Sequence, residues 1–343
     1  MKRVVWIISE GSPGHVSQSV GLAEGLARLV PVEIRQFECR PRIHGFTRHL
    51  IRLFRMGKSG KPLSAAMVHG ALGLEPIPSA EPAPDLIISS GGKSVFVART
   101  LAARYGAPFV FLGERKPYPA SWFHTVFTPS QEETSPVDVA IELIPTKITR
   151  DSVALAAREW DERPAGPVWA MLVGGASSSH RYTAGDWLAL AEGINTWSRR
   201  DGIRWLITTS PRTGSETEAL LREAIEPSAI AKAIWWAEKP EKNLAAILGT
   251  AEGICTTQDS VTMVSEAVAT GKPVVSLRPS LTTFAGTSFL PGYFARLEKE
   301  GRTVRAELSR FAALNVAGHV FIPRVEPIQT ELAKILIRRL GLF

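Results

Sequence analysis

The sequence predicts an α/β protein made of two Rossmann-like, doubly wound parallel-sheet domains facing a cleft. Three observations carry this expectation. Short apolar runs alternate with stretches of helical periodicity from end to end, the pattern of βαβ units. That alternation breaks once, at the charged stretch 154–163 and the Pro164-Ala165-Gly166-Pro167 that follows, and then restarts. The 343 residues also exceed one ordinary core and suit two domains of about 150 residues each. We expect an N-terminal domain over 1–155, with 154–167 as the linker, and a C-terminal domain over 165–325. A terminal helix over 326–343 has the option of crossing back to the first domain.

Residues 4–8 read as the first strand, the loop 9–18 leads into a helix over 19–29, and 32–37 is the next strand. The apolar run 86–89 closes on Ser90-Gly91-Gly92, before a helix over 94–105 and strands at 109–112 and 126–128. The second half opens with a strand at 168–173, a Gly/Ser loop at 174–180 and a helix over 184–199. A strand at 204–208, a loop at 209–215 and a helix to 224 follow, then strands at 233–236, 253–256 and 274–277. Helical periodicity returns over 328–340, with a basic end at Arg338 and Arg339. Buried strands that end in Gly, Ser or Pro place the functional loops along one edge of each sheet.

Composition narrows the class. Hydrophobic residues make up 45% and charged residues 21%, the balance of a globular protein. No apolar run approaches the roughly 20 residues of a membrane span. The apolar stretch after Lys2 and Arg3 covers only 4–8, too short for a signal core, so we expect a cytoplasmic protein. Cys39 and Cys255 are far apart and suggest buried small hydrophobes rather than a disulfide or a zinc site. The net charge of +7 is localised: no acidic residue lies between Glu38 and Glu75, whereas Arg40, Arg42, Arg48, Arg52, Arg55, Lys58 and Lys61 do. Apolar residues such as Ile43, Phe46, Leu50 and Phe54 interleave with them, so 40–61 is expected to lie on an anionic membrane surface, on its inner face. Nucleic acid is not expected, because no reading motif accompanies the charge.

Five loops carry candidate chemistry. In the first, Gln258-Asp259-Ser260 precedes a helix that ends at Gly271 and Pro273, with Asp259 or Ser260 as N-cap. Free N–H groups around Ser260, Val261, Thr262 and Met263 suit a diphosphate, and Glu266 deeper in the helix suits ribose hydroxyls. The second, 9–15, supplies Gly11, Ser12 and Gly14 as a phosphate or sugar loop, with His15 as a candidate general base on a sugar hydroxyl. Its spacing matches neither G-x-G-x-x-G nor the P-loop. In the third, Gly174, Gly175, Ser177 and Arg181 offer backbone N–H groups, a hydroxyl and a cation to phosphate. The fourth supplies Arg212 as a charge-assisted diphosphate partner, and the fifth supplies Gly91 and Gly92 ahead of a helix. No metal-ligand cluster and no Asp-x-Asp is present, so no metal and no cofactor is expected, and a leaving diphosphate would rest on helix ends and arginines.

The stretches 11–15 and 18–26, the 173–175 loop, 210–213 and 258–273 resemble the mitochondrial fission ELM family, in order over nearly the whole chain. Members of that family are taken to be GT-B glycosyltransferases. A more distant similarity is to the peptidoglycan N-acetylglucosaminyltransferase that acts on a polyprenyl-diphosphate sugar, carried by Gly14-His15, Ser265-Glu266 and Gly271-Lys272-Pro273. The resemblance implies a nucleotide-sugar co-substrate, ribose on Glu266, diphosphate on 260–263 and His15 near the reacting sugar. A lipid-linked or saccharide acceptor follows from it. Two alternatives stay open: a non-catalytic membrane-associated scaffold of the fission-linked type, and a sugar-nucleotide 2-epimerase.

Overall fold

The computed structural model describes residues 2–39, 81–92, 94–116, 118–132 and 135–341. The basic segment 40–61 lies outside the described residues. The chain divides into two compact units, Met1–Lys147 with Glu326–Phe343, and Ile148–Val325.

The strands of the first unit are β1 (Arg3–Ser9), β2 (Val32–Glu38), β3 (Leu86–Ser90), β4 (Phe109–Leu112), β5 (Thr125–Thr128) and β6 (Asp138–Ala140). They form a six-stranded parallel sheet in the order β2-β1-β3-β4-β5-β6. β1 and β3 are buried along almost their whole length, which is why they read as continuous apolar runs. α1 (Pro13–Ala27) begins earlier than the sequence suggested, because Pro13 sits in its first turn, where a missing N–H costs nothing. His15 therefore belongs to a helix and not to a loop. α2 (Val95–Tyr105) follows β3 and ends on Gly106, whose φ of 66° is the left-handed cap that glycine favours.

The terminal helix α9 (Ile328–Leu340) packs on α1 within this unit. Gly21 and Gly25, one turn apart on α1, make the close approach possible. A Cβ on Gly21 would strike the Thr146 backbone, and one on Gly25 would strike Gln329. Gln329 Nε2 then donates to the Thr146 carbonyl at 2.6 Å.

The second unit repeats the plan. Its strands are β7 (Val168–Leu172), β9 (Arg204–Thr208), β10 (Ile230–Ile234), β11 (Gly253–Thr257), β12 (Val274–Arg278) and β14 (Val304–Glu307). They pair in the order β10-β9-β7-β11-β12-β14, all parallel. A short antiparallel pair, β8 (His180–Arg181) with β13 (Leu281–Thr282), stands apart from the main sheet. The helices are α3 (Arg150–Arg158), α4 (Ala184–Asp201), α5 (Ser215–Ala224), α6 (Leu244–Thr250), α7 (Val261–Ala269) and α8 (Leu290–Lys299). Trp197 and Trp205 are buried in its core, their indole N–H groups donating to the Phe311 and Ile194 carbonyls, both at 3.1 Å.

Of the charged stretch expected to link the domains, only 154–158 is helix, as the end of α3. Thr149 and Ser152 form a reciprocal cap on α3, which packs on α6 within the second unit, and a Cβ on Gly249 would strike the Val153 carbonyl. The unit boundary falls at 147/148. Charge pattern alone does not separate a linker from a helix with one solvated face.

Candidate functional sites at the two sheet switch points

In each sheet the strand order reverses once, and ligands of open α/β sheets bind outside the carboxyl ends of the strands at that point. In the second unit the reversal lies between β7 and β11. The loops that follow these strands carry Gly174 and Gly175 after β7 and Gln258, Asp259 and Ser260 after β11.

Asp259 organises this edge. Its side chain is fully buried. One carboxylate oxygen accepts the Tyr182 hydroxyl at 2.7 Å. The other takes the Arg212 guanidinium at 2.6 Å and the Gly175 N–H at 3.2 Å. Burial first, and then the adjacent Asp259 charge, push the Tyr182 phenol well above its ordinary value. Thr257 Oγ1 accepts the Gly174 N–H at 2.7 Å, and Thr213 Oγ1 donates to the Gly174 carbonyl at 2.6 Å. Three loops, after β7, β9 and β11, are thus fastened to one another.

These bonds revise several expectations. The Gly174 and Gly175 N–H groups, expected to hold phosphate, are spent on Thr257 and Asp259. The glycines are required for another reason: a Cβ on Gly174 would strike the Asp259 carboxylate, and one on Gly175 the Arg212 carbonyl. Asp259 is an internal tie and Arg212 is its partner. Ser177 closes a turn, its hydroxyl accepting the Ser179 and His180 N–H groups. Arg181 is exposed on β8.

The first turn of α7 remains the open feature. Ser260, not Asp259, is its N-cap and accepts the Met263 N–H at 3.3 Å. Val261, Thr262 and Met263 are half-buried, whereas Val264 to Val268 are buried. Glu266 lies in that buried stretch with 7% exposure. Gln258 is buried; its Nε2 donates to Ser276 at 3.2 Å, and among the described residues its Oε1 has no partner.

Nearby in sequence, His180 is wholly buried, with Nδ1 at 2.9 Å from Ser179 Oγ and Nε2 unpartnered among the described residues. Burial lowers its basicity, and the Arg212 and Arg278 charges add to this against Asp259. A pocket of about 350 Å³ opens elsewhere on this unit, lined by Arg278, Glu298, Arg305, Ala306, Glu307 and Arg310. Arg278 pairs with Glu307 at 2.5 Å and Arg305 with Glu298 at 3.3 Å, so two of the three arginines there already have carboxylate partners.

In the first unit the order reverses between β1 and β3. The loop after β1 brings Glu10 onto the His15 Nδ1 atom. The Glu10 side chain is only 5% exposed and that of His15 is 38% exposed. Gly91, with φ at 87°, lies directly on this pair, and a Cβ there would collide with both side chains. Gly92 is exposed and its carbonyl accepts the Tyr118 hydroxyl at 3.1 Å. Gly11, at φ 78°, donates its N–H to Ser9 Oγ at 3.0 Å, and a Cβ there would meet the Glu38 carboxyl group. Ser12 is the α1 N-cap without a side-chain bond, and Gly14 follows in the first turn. Sequence reasoning passed over Glu10 and Tyr182. A lone acidic residue directly after a buried strand and five positions before a histidine was the available signal for Glu10.

The profile of the family described as Mitochondrial fission ELM1 matches residues 13–317. The chain belongs to the mitochondrial fission ELM1 family. Its fold recurs in solved structures at low identity. S. aureus MnaA in its UDP co-structure is 11% identical, with a TM-score of 0.51 over 100% of this chain and 98% of that one. A UDP-N-acetylglucosamine 2-epimerase gives 11% and 0.55 over 100% and 98%. CalG4, the calicheamicin glycosyltransferase, gives 15% and 0.50 over 99% of each chain. Comparison with curated proteins returns no match. This ELM1-family chain thus has the GT-B fold class, two doubly wound units in tandem.

Proposed function

We propose that this ELM1-family protein transfers a sugar from a nucleotide-sugar donor to a hydroxyl of a lipid-linked or saccharide acceptor, without a metal ion or cofactor. The observation that carries the reading is the first turn of α7. It stands beside a sheet switch point, is half-exposed over Val261–Met263, and follows a loop that Asp259 ties to Tyr182 and Gly175. A helix start of this kind stabilises a diphosphate in the ground state and as a leaving group. Glu266 is assigned to the ribose hydroxyls, and His15 to the acceptor hydroxyl as general base. The UDP co-structure of MnaA, which shares the fold, supports a uridine nucleotide as the first donor to try. Among the described residues no helix is long and apolar enough to cross a membrane. Attachment to an anionic inner membrane surface through 40–61 belongs to the same proposal.

Isothermal titration with UDP-, GDP-, ADP- and CMP-sugars tests the reading, and absence of binding to all four classes removes it. Glu266→Gln should weaken the productive nucleotide about tenfold, as expected for a lost pair of charged hydrogen bonds. A second reading, sugar-nucleotide 2-epimerisation, is favoured by the likeness to the 2-epimerase fold. Recovery of an isomerised nucleotide-sugar in place of a glycoside would select it.

A further inference from the structure

We propose that Glu10 is the positioning residue of His15, fixing its ring so that Nε2 is the bare, proton-accepting nitrogen, and that the 9–15 loop receives an uncharged hydroxyl group. The inference rests on the reading of His15 as the acceptor-side base and goes beyond it in naming the partner, the reactive atom and the chemistry admitted.

The geometry is specific. The Glu10 carboxylate touches Nδ1, so a neutral imidazole carries its proton on Nδ1 and leaves Nε2 free. Glu10 is almost completely enclosed, and among the described residues its Oε2 has no partner. Of this enclosed carboxyl group, the oxygen that has a partner is the one on the imidazole, so the ring is its hydrogen-bond outlet. Gly91 closes over the pair, where any side chain would displace it. His15 itself remains over one-third exposed, so the ring is held at Nδ1 and is not enclosed.

The same surroundings disfavour an anion. The Glu10 carboxylate stands behind the ring at Nδ1, so the nitrogen left for a ligand carries a lone pair and no proton. The Gly11 N–H is bonded back to Ser9. A phosphate at Nε2 finds no donor on the ring, whereas a hydroxyl meets an acceptor nitrogen. In the transfer step the acceptor O–H proton passes to Nε2 as its oxygen bonds to the anomeric carbon. The anomeric C–O bond breaks, and the nucleoside diphosphate departs with the electron pair. Glu10 keeps its bond to Nδ1 and so stabilises the imidazolium that forms.

The test is ¹⁵N spectroscopy of the full-length chain labelled at histidine, at a pH where the ring is neutral, with the His15→Gln spectrum identifying the signals. The expected result is a His15 ring protonated at Nδ1, with Glu10→Ala shifting it toward the Nε2–H form. Glu10→Gln controls for folding, since it keeps the shape and an acceptor oxygen. Inorganic pyrophosphate should leave the His15 signals unmoved. An Nε2–H ring in the wild type, or an unchanged tautomer in a folded Glu10→Ala chain, overturns the positioning role. Displacement of the His15 signals by pyrophosphate overturns the uncharged acceptor. Donor titration separates the two readings: a chain with the expected tautomer that binds no nucleotide-sugar refutes the transferase alone.

Discussion

The Tyr182 hydroxyl donates to the Asp259 carboxylate at 2.7 Å, joining the segment after β7 to the loop that starts α7. Tyr182 also stacks on Trp187 in α4, with ring centroids 4.2 Å apart. The bond therefore couples the candidate donor edge to the core of the second unit. It also sets a pH dependence. Folding raises the Tyr182 pKa above its ordinary value of 10.0, so the stabilisation is complete below that pH. Above it the unfolded chain releases the proton first, and stability falls as pH rises. Tyr182→Phe should cost about 1 kcal/mol at neutral pH. The deficit relative to wild type should shrink above pH about 10, where the unfolded tyrosine ionises. Urea unfolding across pH 7–11 measures both.

Gly175 and Gly292 should respond oppositely to alanine. Gly175→Ala drives a methyl group into the Arg212 backbone, an overpacking that costs about 1–3 kcal/mol. Gly292 lies in the first turn of α8, and nothing stands within 4 Å of the point where a methyl group would project, so Gly292→Ala should stabilise by about 0.5–1 kcal/mol. Thermal unfolding of the two variants decides this by sign alone.

Asp186 performs two tasks. It completes the reciprocal cap of α4 with Thr183, and it accepts the Ser280 N–H and hydroxyl, both at 2.9 Å. Burial alone would raise its pKa, but the bonds from Thr183 and Ser280 outweigh it and leave the carboxyl below its ordinary value. The stabilisation is therefore present above pH about 4 and is lost as acid protonates the folded group. Asp186→Ala should cost about 1–2 kcal/mol at pH 7, with a smaller penalty at pH 3. Chemical denaturation at the two pH values checks it.

Ser260 is engaged as a cap, accepting the Met263 N–H. Ser260→Ala should lower stability by about 1 kcal/mol even without ligand. Ser260→Asp, which retains a capping oxygen, should recover the stability. The added charge should still weaken a nucleotide diphosphate, by like-charge repulsion at the helix start. Calorimetry with and without nucleotide separates the two effects.

Local signals determined the alternating βα elements and the positions of the loops. Runs such as Val4–Ile8, Leu86–Ser89 and Val274–Leu277 are buried strands whose character needs no distant partner to be legible. The helix after Asp259 was legible for the same reason, since caps and C-terminal glycines act within a few residues. Tertiary structure decided what the loop residues do. Gly174, Gly175, Arg212 and Asp259 look like phosphate ligands in sequence because backbone N–H groups, arginines and helix starts all suit anions. Only the fold shows that a buried carboxylate takes the cation and one of those N–H groups, and Thr257 the other. Likewise, the proximity of Glu10 to His15 follows from the turn between β1 and α1, and Gly91 reaches the pair from β3, about 80 positions away in the chain. Periodicity is a local property and is written in the chain; which donor meets which acceptor depends on strand order, and that is settled only when the sheet forms.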